Sequence, residues 1–425
     1  MNVRTLTRHT LVIAVTALVA LSGCSSTSKS STTVGPLKVG PGAYIPQGSV
    51  KKEYTYHSDI FLDVAIPVFD PGFPKDENGN IDDAKVLEQN IWPQIRRTEA
   101  KRFAVETKKA LAKTASFGRV NVTPTTNTSA DLFVLGKIIR SDVKHLELEV
   151  TVIDGRGKFW GKKTFENEVS KGFYRDQARK DQNPHANLYV EIADYVHGML
   201  VKKSEAEKAR IQTVSDILYA NTYSPETFSE YIVVDENYRS NGGYQQSDVV
   251  ALPDPNNPML KRIEALKAQD EMFVDNLQDN FDLFSANTHD AYRTYQRETL
   301  PIIEKIEREK TKRTVSQVAT FGLAVASILL SKNSRSTAGQ VGSAIAGVAA
   351  AKTLIDAVQS NDEIAKHRGL FTEMGENLDV EVSPQVLEFN EQEIELTGTA
   401  GEQYEQWKAH LFEIYELEAT PDTQL

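Results

Sequence analysis

Apolar and polar positions alternate most regularly between His145 and Ile153. Leu146, Leu148, Val150 and Val152 interleave with His145, Glu147, Glu149 and Thr151. A period of two predicts a strand with one dry face and one wet face. Similar β-rich runs occupy Asp59–Phe69, Arg119–Thr123, Leu132–Ile139 and Phe159–Phe165. Asp70-Pro71-Gly72 closes the first, and Asp154-Gly155-Arg156-Gly157 makes the turn into the last. Between the first two strands lies Ile91–Thr114, with Ile95, Phe103, Ala104, Leu111 and Ala112 at helical spacing and Gly118 beyond it as the expected C-cap. Residues 54–170 therefore read as an α/β domain.

From Asn187 the period lengthens. Leu188, Ile192, Val196 and Met199/Leu200 make one apolar stripe, and Ser204–Ala220 reads as a second helix. Residues 224–258 are a turn-rich insertion, broken by Gly242-Gly243, Pro253, Pro255 and Pro258; Tyr231–Val234 is too short to assign. Pro258 then opens a long helix. Met259, Ile263, Leu266, Phe273, Leu277 and Phe284 follow a near-heptad seam, and Asp270 occupies one seam position. A clean coiled coil avoids a carboxylate there, so one amphipathic helix of a bundle competes with a coiled-coil reading. Pro301 is expected to kink or divide the run. The whole helical region covers 187–313.

Two largely apolar stretches stand out at 314–358. Val315–Leu330 and Ala338–Val358 flank a polar SKNSRST turn. In the second, Gly339, Ser343, Gly347 and Ala351 fall four apart, the spacing that lets helix backbones approach closely. Three readings stand: a buried hairpin, a hairpin that packs on other subunits or inserts on assembly, or a resident two-span membrane domain. The stretches are at or below the roughly 20 residues of a span, and Lys352 and Asp356 interrupt the second. Residues 378–425 predict a β-hairpin and an amphipathic helix whose Trp407, Leu411, Ile414 and Tyr415 face a core. The fold class expected is α+β.

At the N-terminus, Arg4 and Arg8 precede an apolar run from Leu11 to Ala20 and then Leu21-Ser22-Gly23-Cys24. Basic, apolar and small-residue regions in that order make a signal peptide over 1–23. Cys24 is the only cysteine in 425 residues. The pattern resembles the lipobox of bacterial lipoproteins, with Leu21, Ser22 and Gly23 leading into a Cys24 that the resemblance implies is acylated, for instance with palmitate, and becomes the first mature residue. Several acyl chains, at about 0.8 kcal/mol per buried CH₂, give stable anchoring where one does not. Ser25 stands where an inner-membrane retention Asp is usual, so the resemblance implies the periplasmic face of the outer membrane. Residues 24–53, rich in Ser, Thr and Gly, read as a flexible tether.

DVAIPVFD, ALAKTASFGRVNVTP, ADLFVLGKI and LELEVTVIDGRGKFW also carry a likeness. A helix ends in a Phe-Gly turn, a strand follows, and the next strand opens with Ala-Asp. In this, residues 54–170 resemble the α/β domains of the curli-secretion lipoprotein, the N-terminal domain of the Tol–Pal translocation protein and ABC-transport auxiliary lipoproteins. The resemblance implies assembly and binding, and carries no catalytic residue.

Cleavage before Cys24 leaves 402 residues and takes the formal charge from −11 to −13. An acidic chain argues against nucleic acid and anionic lipid surfaces as main partners. With Cys24 acylated, neither a disulfide nor a thiol nucleophile remains. There is no Walker loop, G-x-S-x-G elbow or H-E-x-x-H. His197 reads as a structural side chain. Asp76, Asn78, Asn80 and Asp82 have calcium-loop spacing, but Pro74 and Lys85 occupy the positions that need carboxylates, so a polar surface loop is expected. No metal and no cofactor are expected. The sequence points to a non-enzymatic lipoprotein of the outer membrane with a scaffold or assembly role, its partners being envelope proteins or further copies of itself. The alternative is an auxiliary lipoprotein of lipid or solute transport.

Overall fold

The computed structural model of the protein describes residues 53–312 and 385–419, apart from 90, 171, 177, 178, 180, 181, 237, 238, 390 and 391. The class is α+β. A five-stranded sheet is ordered β2-β1-β3-β4-β5, with β1 (Val64–Pro67), β2 (Val120–Thr123), β3 (Leu132–Ser141), β4 (His145–Asp154) and β5 (Phe159–Glu168). β1 runs parallel to β2 and β3; the β3–β4 and β4–β5 pairs are antiparallel. The parallel β1–β2 pair needs a crossover, and the helix α2 (Pro93–Ala112) supplies it. A short helix, α1 (Asp83–Glu88), precedes it.

The alternation in β4 has the expected consequence. Leu146, Leu148, Val150 and Val152 are buried with Leu132, Val134, Ile138 and Phe165. His145, Glu147 and Glu149 are only partly covered, although Thr151 is buried too. α2 and α3 (Ala186–Leu200) pack side by side over the apolar face. α3 contributes Leu188, Ile192, Val196 and Leu200, the stripe read from its spacing. In α2, Ala100, Ala104 and Leu111 join this core; Ala112 is exposed, and Ile95 packs elsewhere.

Gly118 is not the C-cap of α2. The helix closes on Lys113, and Ala115 takes the left-handed turn with φ 50°. Gly118 instead answers to close packing: its N–H donates to the Leu62 carbonyl at 3.0 Å, and a Cβ there would lie 2.3 Å from Asp63 Oδ1.

α4 (Glu205–Tyr223) starts at Ser204, whose hydroxyl accepts from the Glu207 N–H at 3.2 Å. Ser-x-x-Glu is a capping-box spacing. The insertion forms a hairpin of β6 (Ile232–Asp235) and β7 (Gln246–Val249). Asn241 pins it to the β4–β5 turn, accepting from the Phe159 N–H and donating to the Gly157 carbonyl, both at 2.8 Å.

α5 (Pro258–Asn287) buries Ile263, Leu266, Phe273, Val274, Leu277 and Phe281. It also runs along the edge strand β2. Gln278 donates to the Val122 carbonyl and accepts from its N–H, both at 2.9 Å. One side chain thus satisfies backbone groups that an open edge would leave exposed for pairing. The long helical run divides at Thr288; Pro301 lies inside the next helix, α6 (His289–Lys312). Buried Arg102 donates to Thr288 Oγ1 and the Ser285 carbonyl, placing a cation at the negative end of α5.

The C-terminal part is a hairpin of β8 (Gln385–Phe389) and β9 (Gln392–Leu396) followed by α7 (Ala400–Ala419). Trp407, Leu411, Ile414 and Tyr415 are buried, and Trp407 stacks on Phe273 with centroids 5.3 Å apart. Asp270 faces this junction: it is 1 % exposed, and Tyr404 donates to it at 3.4 Å. A single hydrophobic cluster runs from Leu62 in the sheet domain through Phe273 to Tyr415. The segments read as separate therefore share one core.

Candidate functional site

Three polar groupings could carry chemistry. The first lies at the end of the sheet where β1, β2 and β3 begin. Asp63 accepts from the Arg119 backbone N–H at 2.7 Å and from its guanidinium, which also reaches Glu271 at 2.7 Å. Lys267 is paired with Asp216 nearby. Asp131 accepts from the Asp63 N–H at 3.0 Å, and burial pushes its carboxyl up to about 6. The cavity beside this cluster holds about 30 Å³, room for roughly one water.

The second is Ser116 with His197, 2.9 Å apart. A hydroxyl has one proton, and Ser116 donates it to the Thr114 carbonyl at 3.0 Å. With that proton on Thr114, Ser116 accepts from His197 Nδ1 in the tautomer that carries its hydrogen there. Tyr54 packs edge-on against the ring, so the group ties the N-terminal strap to α3.

The third is a cleft of about 570 Å³ between α2, the start of α3, α5 and α6. That size lies within the range of small-molecule sites. From α2 come Arg102, Phe103, Glu106 and Lys109; from the approach to α3, Asn183 and His185; from α5, Asp282 and Ser285; from α6, His289, Tyr292 and Arg293. Size decides for this cleft over the sheet-end cluster.

Each element delivers its residues for a local reason. Arg102 and Glu106, four apart, share a face of α2. Asn183 Oδ1 accepts from the His185 N–H at 2.9 Å and its Nδ2 donates to Glu106 at 2.9 Å, fixing the turn into α3. His185 Nδ1 bonds Asn167 Oδ1 at 2.9 Å. Burial, helped by Arg293, drives the His185 imidazole down to about 3, so it is neutral. Burial together with Arg102 and Arg293 also lowers His289. Tyr189 and Tyr292 are pushed well up, chiefly by burial, and Tyr292 donates to Glu99 at 2.8 Å. Arg293 donates to Gln296 at 3.1 Å and lies over the Phe173 and Tyr174 rings. Among the described residues, no hydroxyl of the cleft is hydrogen-bonded to either imidazole. The arrangement offers cations, aromatic faces and neutral donors, a lining suited to holding a polar ligand.

Sequence reasoning did not find this cleft. Its residues are up to 194 positions apart, from Arg102 to Gln296. The one local signal was the set of charges on α2 that interrupt its apolar spacing. The positions singled out from sequence lie elsewhere. Leu21, Ser22, Gly23 and Cys24, and Gly339, Ser343, Gly347 and Ala351 with the rest of 314–358, fall outside the described residues. In the calcium-like loop, Asp76 accepts from the N–H groups of Asn78 and Asn80 at 2.9 and 2.8 Å, and Asp82 caps α1 through Lys85 N–H at 3.0 Å. Those carboxylates serve their own backbone. Among the described residues, no group of three or more His, Cys, Asp or Glu side chains is placed to hold a metal. Among them, too, no helix is long and apolar enough to cross a membrane.

Compared with known proteins, the sequence matches no family model, no curated protein and no solved structure.

Proposed function

We propose that the protein is a lipoprotein anchored through Cys24 to the periplasmic face of the outer membrane, where it has a non-enzymatic scaffold or assembly role. The observation that carries this reading is that the chain's only cysteine closes Leu21-Ser22-Gly23-Cys24, directly after a basic and then apolar segment. The Ser/Thr/Gly-rich residues 24–53 set the body off from the lipid, and the stripe of Gly339, Ser343, Gly347 and Ala351 serves packing against envelope partners or further copies. The test is metabolic labelling with a palmitate analogue and flotation of membranes, comparing the wild type with Cys24→Ala. Label and flotation lost together in the variant are expected; an unlabelled wild type sinks the reading.

A second reading, an auxiliary lipoprotein of lipid or solute transport, draws support from the 570 Å³ cleft. A pure scaffold has no need of a ligand-sized polar cavity inside its folded body.

A further inference from the structure

We propose that the cleft between α2, α5 and α6 binds a small organic anion bearing a phosphate or carboxylate group, with Arg102 as its counter-ion. The proposal deepens the transport-auxiliary reading and stands independently of the lipid anchor.

Arg102 is 7 % exposed. Its Nη1 donates to the Ser285 carbonyl at 2.8 Å and to Thr288 Oγ1 at 2.7 Å, and its guanidinium lies 4.8 Å from the Tyr292 ring centre. All three partners are neutral. Burying a charge is costly unless it is paired and hydrogen-bonded. The helix-end carbonyl and the ring offset part of that cost. Nε and Nη2 have no acceptor among the described residues, and together they form the edge that grips a carboxylate or phosphate with two parallel bonds.

The carboxylates in the lining do not supply the missing charge. Glu106 is taken by Asn183 at 2.9 Å and Lys109 at 3.7 Å, and Asp282 by Lys108 at 3.3 Å and Lys109 at 3.7 Å. His185, driven down to about 3, adds no charge at neutral pH. His289 is lowered by burial first, and Arg102 and Arg293 add to it by disfavouring a further positive charge there. Volume then sets the ligand's size. At about 570 Å³ the cleft is larger than inorganic phosphate needs, and its lining includes the nearly buried rings of Phe103, Tyr189 and Tyr292.

The test is calorimetric titration of the full chain with phenyl phosphate, benzoate and neutral benzyl alcohol. Binding of at least one anion and none of the alcohol is expected, with Arg102→Gln weakening the anion at least tenfold. No heat with either anion, or equal binding of the alcohol, overturns the proposal. Because Arg102 also holds α2 to α5, a second measurement needs no variant: the His289 ring is titrated by NMR with and without phenyl phosphate. Arg102 and Glu106 on α2 and Asp290 and Arg293 on α6 act on that ring, and Asp282 on α5 lines the same cleft. A bound anion raises its titration point by offsetting the two arginines, and an unmoved curve overturns the proposal. A parallel arm with dihexanoyl phosphatidic acid distinguishes the sources: tighter binding than phenyl phosphate assigns a lipid headgroup, weaker binding a soluble metabolite. Loss of palmitate labelling and loss of anion binding are separate results, so each reading fails on its own.

Discussion

The two faces of α2 are both buried, yet they are built from opposite chemistry. Toward the sheet it presents Ala100, Ala104 and Leu111; it also buries Arg96, which donates to the Pro71 and Ser141 carbonyls, and Glu99 and Arg102, which meet Tyr292 of α6. On the first face, burial removes apolar area from water at about 25 cal/mol per Å², and any well-shaped hydrophobe contributes. On the second, each charge must be matched. Glu99 is met by Arg96 at 3.6 Å and Tyr292 at 2.8 Å, while Arg102 is met by neutral groups and opens on the cleft. The sheet face contributes apolar burial; the charged side lines the cleft.

The sharpest test of that contrast is Leu111→Ala, which empties a fully buried position. It is expected to lower unfolding free energy by about 2–5 kcal/mol in urea titrations. A loss below 1 kcal/mol would erase the distinction between the faces.

Next in size is an acid limb that comes from His185, across the cleft from α2. His185 titrates near 3 in the fold against 6.5 ordinarily. Above pH 6.5 both states are neutral and nothing is gained. Below it the unfolded chain takes up a proton that the fold refuses, so stability falls by up to about 1.4 kcal/mol per pH unit until pH 3. Asp131 and Asp270, both raised to about 6 by burial, act in the opposite sense as pH falls from 6 toward 4. The readout is therefore the difference between wild type and His185→Gln, followed by thermal melts from pH 7 to 4.5. The gap must move in the variant's favour toward low pH; a constant gap refutes the assignment.

Glu99→Gln comes third. Burial raises the Glu99 carboxyl above its usual range, against the pull of Arg96 and of the Tyr292 hydrogen bond. Glutamine keeps an acceptor for Tyr292, and a cost of about 1 kcal/mol is expected. A cost matching Leu111→Ala would show that the Arg96 pair is as demanding as the apolar core.

Smallest is Asp282→Asn, which cuts the half-exposed bridge from α5 to Lys108. A change under about 1 kcal/mol that shrinks with added salt is expected. A larger, salt-independent loss would place that bridge in the interior class.

Much of the sheet was legible because its signals are local. In β4 the alternation named the buried side chains before any partner was known, and the helix read from Ser204 begins at Glu205 with Ser204 as its cap. The C-terminal helix likewise declared Trp407, Leu411 and Ile414. Asp270 looked like a flaw in the α5 seam, and only α7, which brings up Tyr404, shows what it meets. Gly118 misled because a helix-ending glycine and a glycine required by close packing look alike in sequence. The helix break at Thr288 had no local sign, because the group that holds the end of α5 is Arg102, 186 residues earlier.

By itself the sequence determined the α+β class and the period of most elements, because periodicity depends only on neighbours along the chain. The tertiary structure decided that the sheet domain, α5 and α7 share one core, that Gln278 closes the β2 edge, and that a charged face of α2 becomes the wall of a cleft. Those outcomes depend on which distant surfaces meet, and a buried charge acquires its meaning only from the groups that surround it.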